Sequence, residues 1–122
     1  MNQPDQFPEI FRNDIRIIRE TAEQIIRDFQ NDDIKIAFSG NDALAFDELK
    51  HQLIPFIHEV MNRPSAFHAL LYRIDISESE YRAALSKAGS HREEIVAELI
   101  IRREFKKVLI RGYFRDNNRS NE

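Results

Sequence analysis

The sequence contains no cysteine, which removes several classes of function at once. Disulfide bridges, thiolate nucleophiles, and zinc or iron–sulfur sites held by cysteine are all excluded. There are only three glycines, at positions 40, 89 and 112, and they are too far apart to build a loop that cradles phosphate. Nucleotide- and dinucleotide-binding motifs are therefore also absent.

Long apolar runs are lacking as well. No stretch approaches the ~18 apolar residues that a membrane-spanning helix requires. The first ten residues, MNQPDQFPEI, show neither the basic start nor the apolar centre of a secretory signal. Because no disulfide calls for an oxidising compartment, we expect a cytoplasmic protein with no membrane partner.

The composition that is present is that of a folded protein. The chain has 122 residues, of which 42% are hydrophobic and 32% are charged. Disordered chains have fewer apolar residues and a larger charge imbalance than this. Since domains typically contain ~100 to 150 residues, we expect residues 1–122 to form one helical domain, with a frayed polar tail at 115–122.

The net charge of −3 is unevenly distributed along the chain. Between Arg102 and Arg119 there are seven basic residues against only Glu104 and Asp116, so the rest of the chain is strongly acidic. Two interpretations stay open. The basic segment pairs with acidic groups of its own fold, or it presents a surface to an anionic partner.

The clearest helical pattern covers residues 7–29, with Pro8 suited to its first turn. Apolar residues recur there at intervals of three and four, the spacing of a helix that packs one face against a core. They are Phe7, Phe11, Ile15, Ile18, Ala22, Ile25 and Phe29.

Residues 34–38 follow a different period. Ile34, Ile36 and Phe38 alternate with polar or small residues, which is typical of an extended segment. A strand needs a partner, and the only other alternating stretch runs from Leu70 to Ile76. We leave this pairing open but favour an extended loop that lies over the helices.

Helical spacing returns from Asp42 to Asn62 and continues through Pro55, which predicts one kinked helix. Pro64 suits the first turn of a third helix that ends near Ile74. Ser77 and Glu80 have the spacing of a capping box that opens a short fourth helix. The fold class predicted is therefore all-α, a bundle of four or five helices.

The last helix is predicted to begin at Ser90, which would cap it with Glu93 at the reciprocal position, and to run to Phe114. It has apolar residues on two sides. One side carries Ala97, Ile101, Phe105, Val108, Leu109 and Gly112, and the other carries Ile95, Val96, Leu99, Ile110, Tyr113 and Phe114. A helix that is apolar on two sides must be covered twice, either inside a bundle or by another chain.

These patterns favour a non-enzymatic protein–protein interaction module, a small adaptor or regulatory subunit that self-associates as a homodimer through the last helix. Arginine and tyrosine are enriched at such interfaces. The predicted interaction residues are Ile95, Leu99, Arg103, Lys107, Ile110, Arg111, Tyr113 and Phe114. We predict no catalytic residue, no metal ligand and no cofactor.

Two alternatives remain. Basic residues at intervals of four, among them Arg103, Lys107 and Arg111, form a ridge that suits nucleic acid, although the pI near 5.8 argues against it. Glu48 and His51 have the Glu-x-x-His spacing of carboxylate-bridged metal sites, and His58 lies two turns further on. No second copy of that motif exists in the sequence, so a metal-binding or enzymatic bundle is the least favoured interpretation.

Overall fold

The computed structural model describes the backbone of residues 13–120 and the side chains of residues 13–112. This part of the chain forms five α-helices and no strand, which confirms the all-α prediction. A short 3-10 helix, Asp42–Leu44, leads directly into the second α-helix. The helices are α1 (Ile15–Phe29), α2 (Ala45–Met61), α3 (Pro64–Ile74), α4 (Glu78–Ser86) and α5 (Arg92–Ser120).

α1 begins later than its apolar spacing suggested. Asp14 has extended backbone angles, and its Oδ1 accepts a hydrogen bond of 3.0 Å from the backbone N–H of Arg16. Asp14 therefore caps the helix, and the prediction of a helix over 7–29 is wrong at residues 13 and 14, while its residues 7–12 lie outside the described part. Apolar spacing cannot reveal such a start, because a single capping side chain decides it.

Residues 34–38 form an irregular segment that lies on the helices, as favoured above, and not a strand. Ile34 is buried and Phe38 is half-buried, while Ala37 faces outwards. The Gln52 side chain accepts a hydrogen bond of 2.8 Å from Ala37 N–H and donates one of 2.8 Å to Ala37 O. One amide thus takes the place of a strand partner. The alternative partner is not available, because residues 70–74 belong to α3.

The middle of the chain follows the sequence pattern closely. α2 is continuous through Pro55, and Pro64 occupies the first turn of α3. α3 ends at Ile74 and is followed by Asp75, whose φ of 70° lies in the left-handed region. Ile76 N–H closes the turn on Leu71 O at 2.9 Å. The predicted capping box of Ser77 and Glu80 opens α4 and is confirmed.

α5 differs from its prediction at both ends. It begins at Arg92, so Ser90 does not cap it and lies instead in the turn formed with Gly89. Glu93 does not complete a capping box, because its Oε1 lies 3.1 Å from His58 Nδ1 on α2. The helix continues to Ser120, beyond Phe114, where the sequence pattern placed its end.

α5 is the helix around which the others pack. It lies mainly against α1 and α2, and α4 covers a further side. Its fully buried apolar residues include Val96 from the second apolar side, so the helices of the chain itself cover that part of α5. The buried apolar residues of α5 are Val96, Ala97, Ile100, Ile101, Phe105 and Val108.

Candidate functional site

Arg103, Lys107 and Arg111 are the members of the predicted ridge whose side chains the structure describes, and all three donate hydrogen bonds to groups of the same chain. Arg103 Nη1 donates to Asp75 O at 2.7 Å, and its Nη2 donates to the Glu80 carboxylate. This arginine therefore ties α5 to the end of α3 and the start of α4. Arg111 Nη1 donates to Gln24 Oε1 on α1 at 3.0 Å.

Lys107, the third, lies in a cluster of charged groups between α1 and α5. Its Nζ is 3.0 Å from Glu104 Oε1 and 3.6 Å from Asp28 Oδ2, and it donates to Arg73 O at 3.4 Å. Arg73 Nε in turn donates to Asp28 O at 2.7 Å, so α1, α3 and α5 are joined here. We call Asp28, Glu104 and Lys107 the Glu104 cluster.

Glu104 is unusual because it is an acidic residue whose side chain is fully buried, with 0% exposed. Neither of its oxygens accepts a hydrogen bond in good geometry from a described N–H group, although Lys107 Nζ is close. As a carboxylic acid, Glu104 can donate its own proton to the adjacent Asp28 carboxylate. Burial, followed by the adjacent carboxyl of Asp28, raises the pKa of Glu104 from 4.5 to about 8. Glu104 is therefore predominantly protonated at neutral pH.

The pKa of Asp28 shifts in the opposite direction. Burial alone would raise the pKa of this carboxyl, but hydrogen bonding with Glu104 and Gln24 and the charge of Lys107 together hold it below its ordinary value. At neutral pH the cluster thus contains one carboxylate, one carboxylic acid and one ammonium group, with no net charge. Above pH 8 it gains a negative charge inside the protein.

The Glu104 cluster can hold a proton, but it is not placed to transfer that proton to a substrate. A general acid must reach its substrate directly or through one water molecule. Glu104 is fully enclosed and lines neither the grooves beside Tyr72 nor the cavity beside Arg73 described below. Glu104 therefore has a structural role, and its burial in the fold determines whether it is charged.

The predicted apolar interaction residues of α5 lie in different environments. Ile95 and Leu99 are half-buried, and Leu99 packs against the core. Ile110 is 47% exposed. Tyr113 and Phe114 lie outside the described side chains. Ile95 and Leu99 are thus partly covered within the chain, and Ile110 is the most exposed of the three.

The residues of the metal hypothesis are also separate in their contacts. Glu48 Oε1 accepts a hydrogen bond from Ser39 N–H at 3.2 Å, His51 is exposed, and His58 pairs with Glu93. Within residues 13–112, no group of three or more His, Asp or Glu side chains is arranged to hold a metal ion.

An exposed aromatic residue on α3 was not singled out from the sequence. Tyr72 is 88% exposed, and a surface groove of about 340 Å³ beside it is lined by Phe67, Leu71 and Tyr81. A second groove of about 500 Å³ on the same residue includes Asp75 and Arg103. Tyr72 and these two grooves form what we call the Tyr72 surface.

Both features left signals in the sequence. Glu104 lies among Ile100, Ile101, Phe105 and Val108 on the core side of α5, where an acidic residue has no water to face. Tyr72 lies off the apolar stripe of α3, which runs through Phe67, Leu70, Leu71 and Ile74. A residue whose polarity does not match its helical position is the signal in each case.

Comparison of the chain with protein-family models, with curated proteins and with solved structures finds no match. Among the described residues, none of the helices has both the length and the apolar character needed to cross a bilayer.

Proposed function

We propose that this chain is a non-enzymatic protein–protein interaction module, a small cytoplasmic adaptor or regulatory subunit, and that its contact surface is centred on Tyr72. The observation that carries the proposal is the 88% exposure of this aromatic side chain. Tyrosine offers a large apolar ring and a hydroxyl group, and it is among the residues that contribute most to binding at interfaces.

The surroundings of Tyr72 support the same function. The groove on one side is mainly apolar, with Phe67, Leu71 and Ile76 in its walls. The groove on the other side is bordered by Asp75 and by the Arg103–Glu80 pair. An apolar centre with a polar border is the usual anatomy of a protein interface.

Site-specific crosslinking tests this proposal. A photoreactive amino acid at position 72 should capture one defined partner from an extract of the native host, whereas the same group at Arg16, whose side chain is 86% exposed, should not.

With that partner purified, Tyr72→Ala should weaken binding by about tenfold or more, as expected for an aromatic residue at the centre of an interface. Arg16→Ala is the matched control. Identical crosslinks at both positions, or unchanged affinity of Tyr72→Ala, would contradict the proposal.

Self-association through α5 is a second candidate, and the observation that favours it is the exposed side chain of Ile110. A homodimer formed there should dissociate in the Ile110→Ser variant, because the apolar contact is lost. Sedimentation velocity at micromolar concentration measures this directly. A strict monomer for the unmodified chain would eliminate the candidate.

Nucleic-acid binding through the basic ridge is less favoured. The guanidinium groups of Arg103 and Arg111 and the ammonium group of Lys107 each donate to an acceptor in the chain, so a phosphate would have to compete with those contacts. Binding of this kind would fall steeply with salt, and the lack of any binding to nucleic acid at low salt would exclude it.

A further inference from the structure

A surface cavity of about 340 Å³ lies where the C-terminal ends of α1 and α2 meet α3. It is separate from the Tyr72 surface and shares no lining residue with it. Two aromatic rings line it, Phe29 from α1 and Phe56 from α2, together with the guanidinium-bearing residues Arg63 and Arg73. Its volume is at the lower end of the range that small-molecule sites occupy.

Arg73 is held in place by the fold but keeps donors available. It is half-buried, and its Nε donates to Asp28 O at 2.7 Å, which fixes the plane of the guanidinium group. Its two terminal nitrogens have no partner among residues 13–112. A guanidinium group held in this way is suited to bind the two oxygens of a carboxylate, because their spacing matches that of its N–H groups.

Arg63 adds a second positive charge that is only weakly engaged. Its Nη2 lies 3.7 Å from Glu59 Oε1, and the two side chains are 60% and 66% exposed. Exposed pairs of this kind contribute little, so Arg63 can turn to a ligand without a large loss. With Glu59 included, the charged groups of the lining sum to one positive charge.

The backbone at the cavity favours the same kind of ligand. No side chain caps the first turn of α3, whereas Asp14 caps α1 and Ser77 caps α4. Ala66, in that uncapped turn, is part of the cavity lining. The positive end of the α3 dipole therefore adds to the two guanidinium groups.

We propose that this cavity binds a small aromatic carboxylate, with the carboxylate on Arg63 and Arg73 and the ring against Phe29 and Phe56. The site requires both parts of the ligand: the charge for the guanidinium groups, and the flat apolar ring for the aromatic walls. It extends the function proposed above to a module with its own small-molecule site, and it does not depend on the Tyr72 surface.

Titration of the ¹⁵N-labelled protein followed by NMR tests the proposal, with benzoate as the probe and benzyl alcohol as its uncharged counterpart. Benzoate should give saturable shifts of the Gln30, Asn31 and Ala66 amides and bind about tenfold more tightly than benzyl alcohol, because only benzoate engages the guanidinium groups. Benzyl alcohol that binds as tightly as benzoate, or no saturable shift with benzoate, would overturn the proposal.

Two substitutions separate this site from general attraction of anions. Arg63→Gln should weaken benzoate binding about fivefold or more through loss of one of the two cations. Arg82→Gln is the matched control, because Arg82 is also an exposed arginine paired with a glutamate four residues away. Equal effects of the two substitutions would overturn the proposal. Arg63 is largely exposed, so its substitution should leave the fold intact, and the unchanged remainder of the amide spectrum verifies this in the same experiment.

Discussion

The two main contact surfaces of α5 use charged residues in opposite ways. Toward α2, the charged groups form pairs: Lys50 Nζ lies 3.2 Å from Glu98 Oε1, and at the exposed edge His58 Nδ1 lies 3.1 Å from Glu93 Oε1. Toward α1, a carboxyl group lies inside the contact, where Glu104 is fully buried beside Asp28 and Lys107. α5 therefore has ion pairs on its α2 side and a carboxyl group buried within the contact on its α1 side.

The difference lies in access to water. A side chain at an edge regains its hydration when its partner is lost, so the pair contributes little to the free energy of unfolding. A carboxyl group in the interior has no such alternative, and removing its partner leaves a charge that the surroundings cannot solvate. We therefore expect the α1–α5 contact to depend on pH and on each member of the cluster, and the exposed His58–Glu93 pair of the α2–α5 contact to contribute much less to the free energy of unfolding.

The pH dependence of Glu104 should give the largest effect. Its folded-state pKa of about 8 exceeds the ordinary value of 4.5, so the folded chain retains a proton that the unfolded chain releases. The resulting stabilisation is complete below pH 4.5 and is lost as the pH rises toward 8, with a slope of at most about 1.4 kcal/mol per pH unit. Urea unfolding should show a free energy lower by about 3 kcal/mol at pH 8.5 than at pH 5.5.

Glu104→Gln should remove this pH dependence, because the amide has nearly the shape of the protonated carboxyl and cannot ionise. Below pH 4.5 the variant should match the unmodified protein, and its advantage in the free energy of unfolding should grow by about 3 kcal/mol between pH 5.5 and pH 8.5. Glu20→Gln, an exposed carboxyl of α1, is the control and should leave the pH dependence unchanged. A Glu104→Gln protein that still loses stability between these pH values would show that another group is responsible.

Removing the cation of the cluster should have the next largest effect. Lys107→Met leaves the Asp28 carboxylate without its ammonium partner and should destabilise the fold by about 2 kcal/mol at neutral pH. The effect should grow above pH 8, where Glu104 also ionises. Chemical denaturation at pH 7 and 9 measures both values, and the exposed lysine variant Lys87→Met is the control. Equal effects of the two substitutions would mean that the Asp28 carboxylate does not depend on the Lys107 ammonium group.

The helices could be predicted from the sequence because each depends on a repeated pattern. The stripe of Ile18, Ala22 and Ile25, and the Ser77–Glu80 capping box, both appear in the structure as predicted. The starts of α1 and α5 could not be predicted, since Asp14 and Glu93 each had more than one group available to them. Asp14 bonds to the backbone of Arg16, and Glu93 bonds to His58 on a different helix.

The candidate sites were harder to predict because they depend on which helices meet. Arg103, Lys107 and Arg111 step along α5 as a ridge suited to phosphate, yet the structure places Asp75, Asp28 and Gln24 beside them. Each of those partners is at least 28 residues away in the sequence. Periodicity specifies the face on which a residue lies, but it does not specify what another helix brings to that face.

The smallest effect is expected at the α2–α5 edge, and it should have the opposite sign with pH. The hydrogen bond with His58 lowers the pKa of Glu93 below its ordinary value of 4.5, so its stabilisation is present above pH 4.5 and is lost as the pH falls through the lowered pKa. His58 and Glu93 are 65% and 32% exposed, and Glu93→Gln should therefore change the free energy of unfolding by less than about 1 kcal/mol. Urea unfolding at pH 6 measures this change beside that of Lys107→Met. A loss at Glu93 as large as the loss at Lys107 would contradict the distinction between edge and interior, because it would mean that water access does not govern how strongly α5 depends on its charged partners.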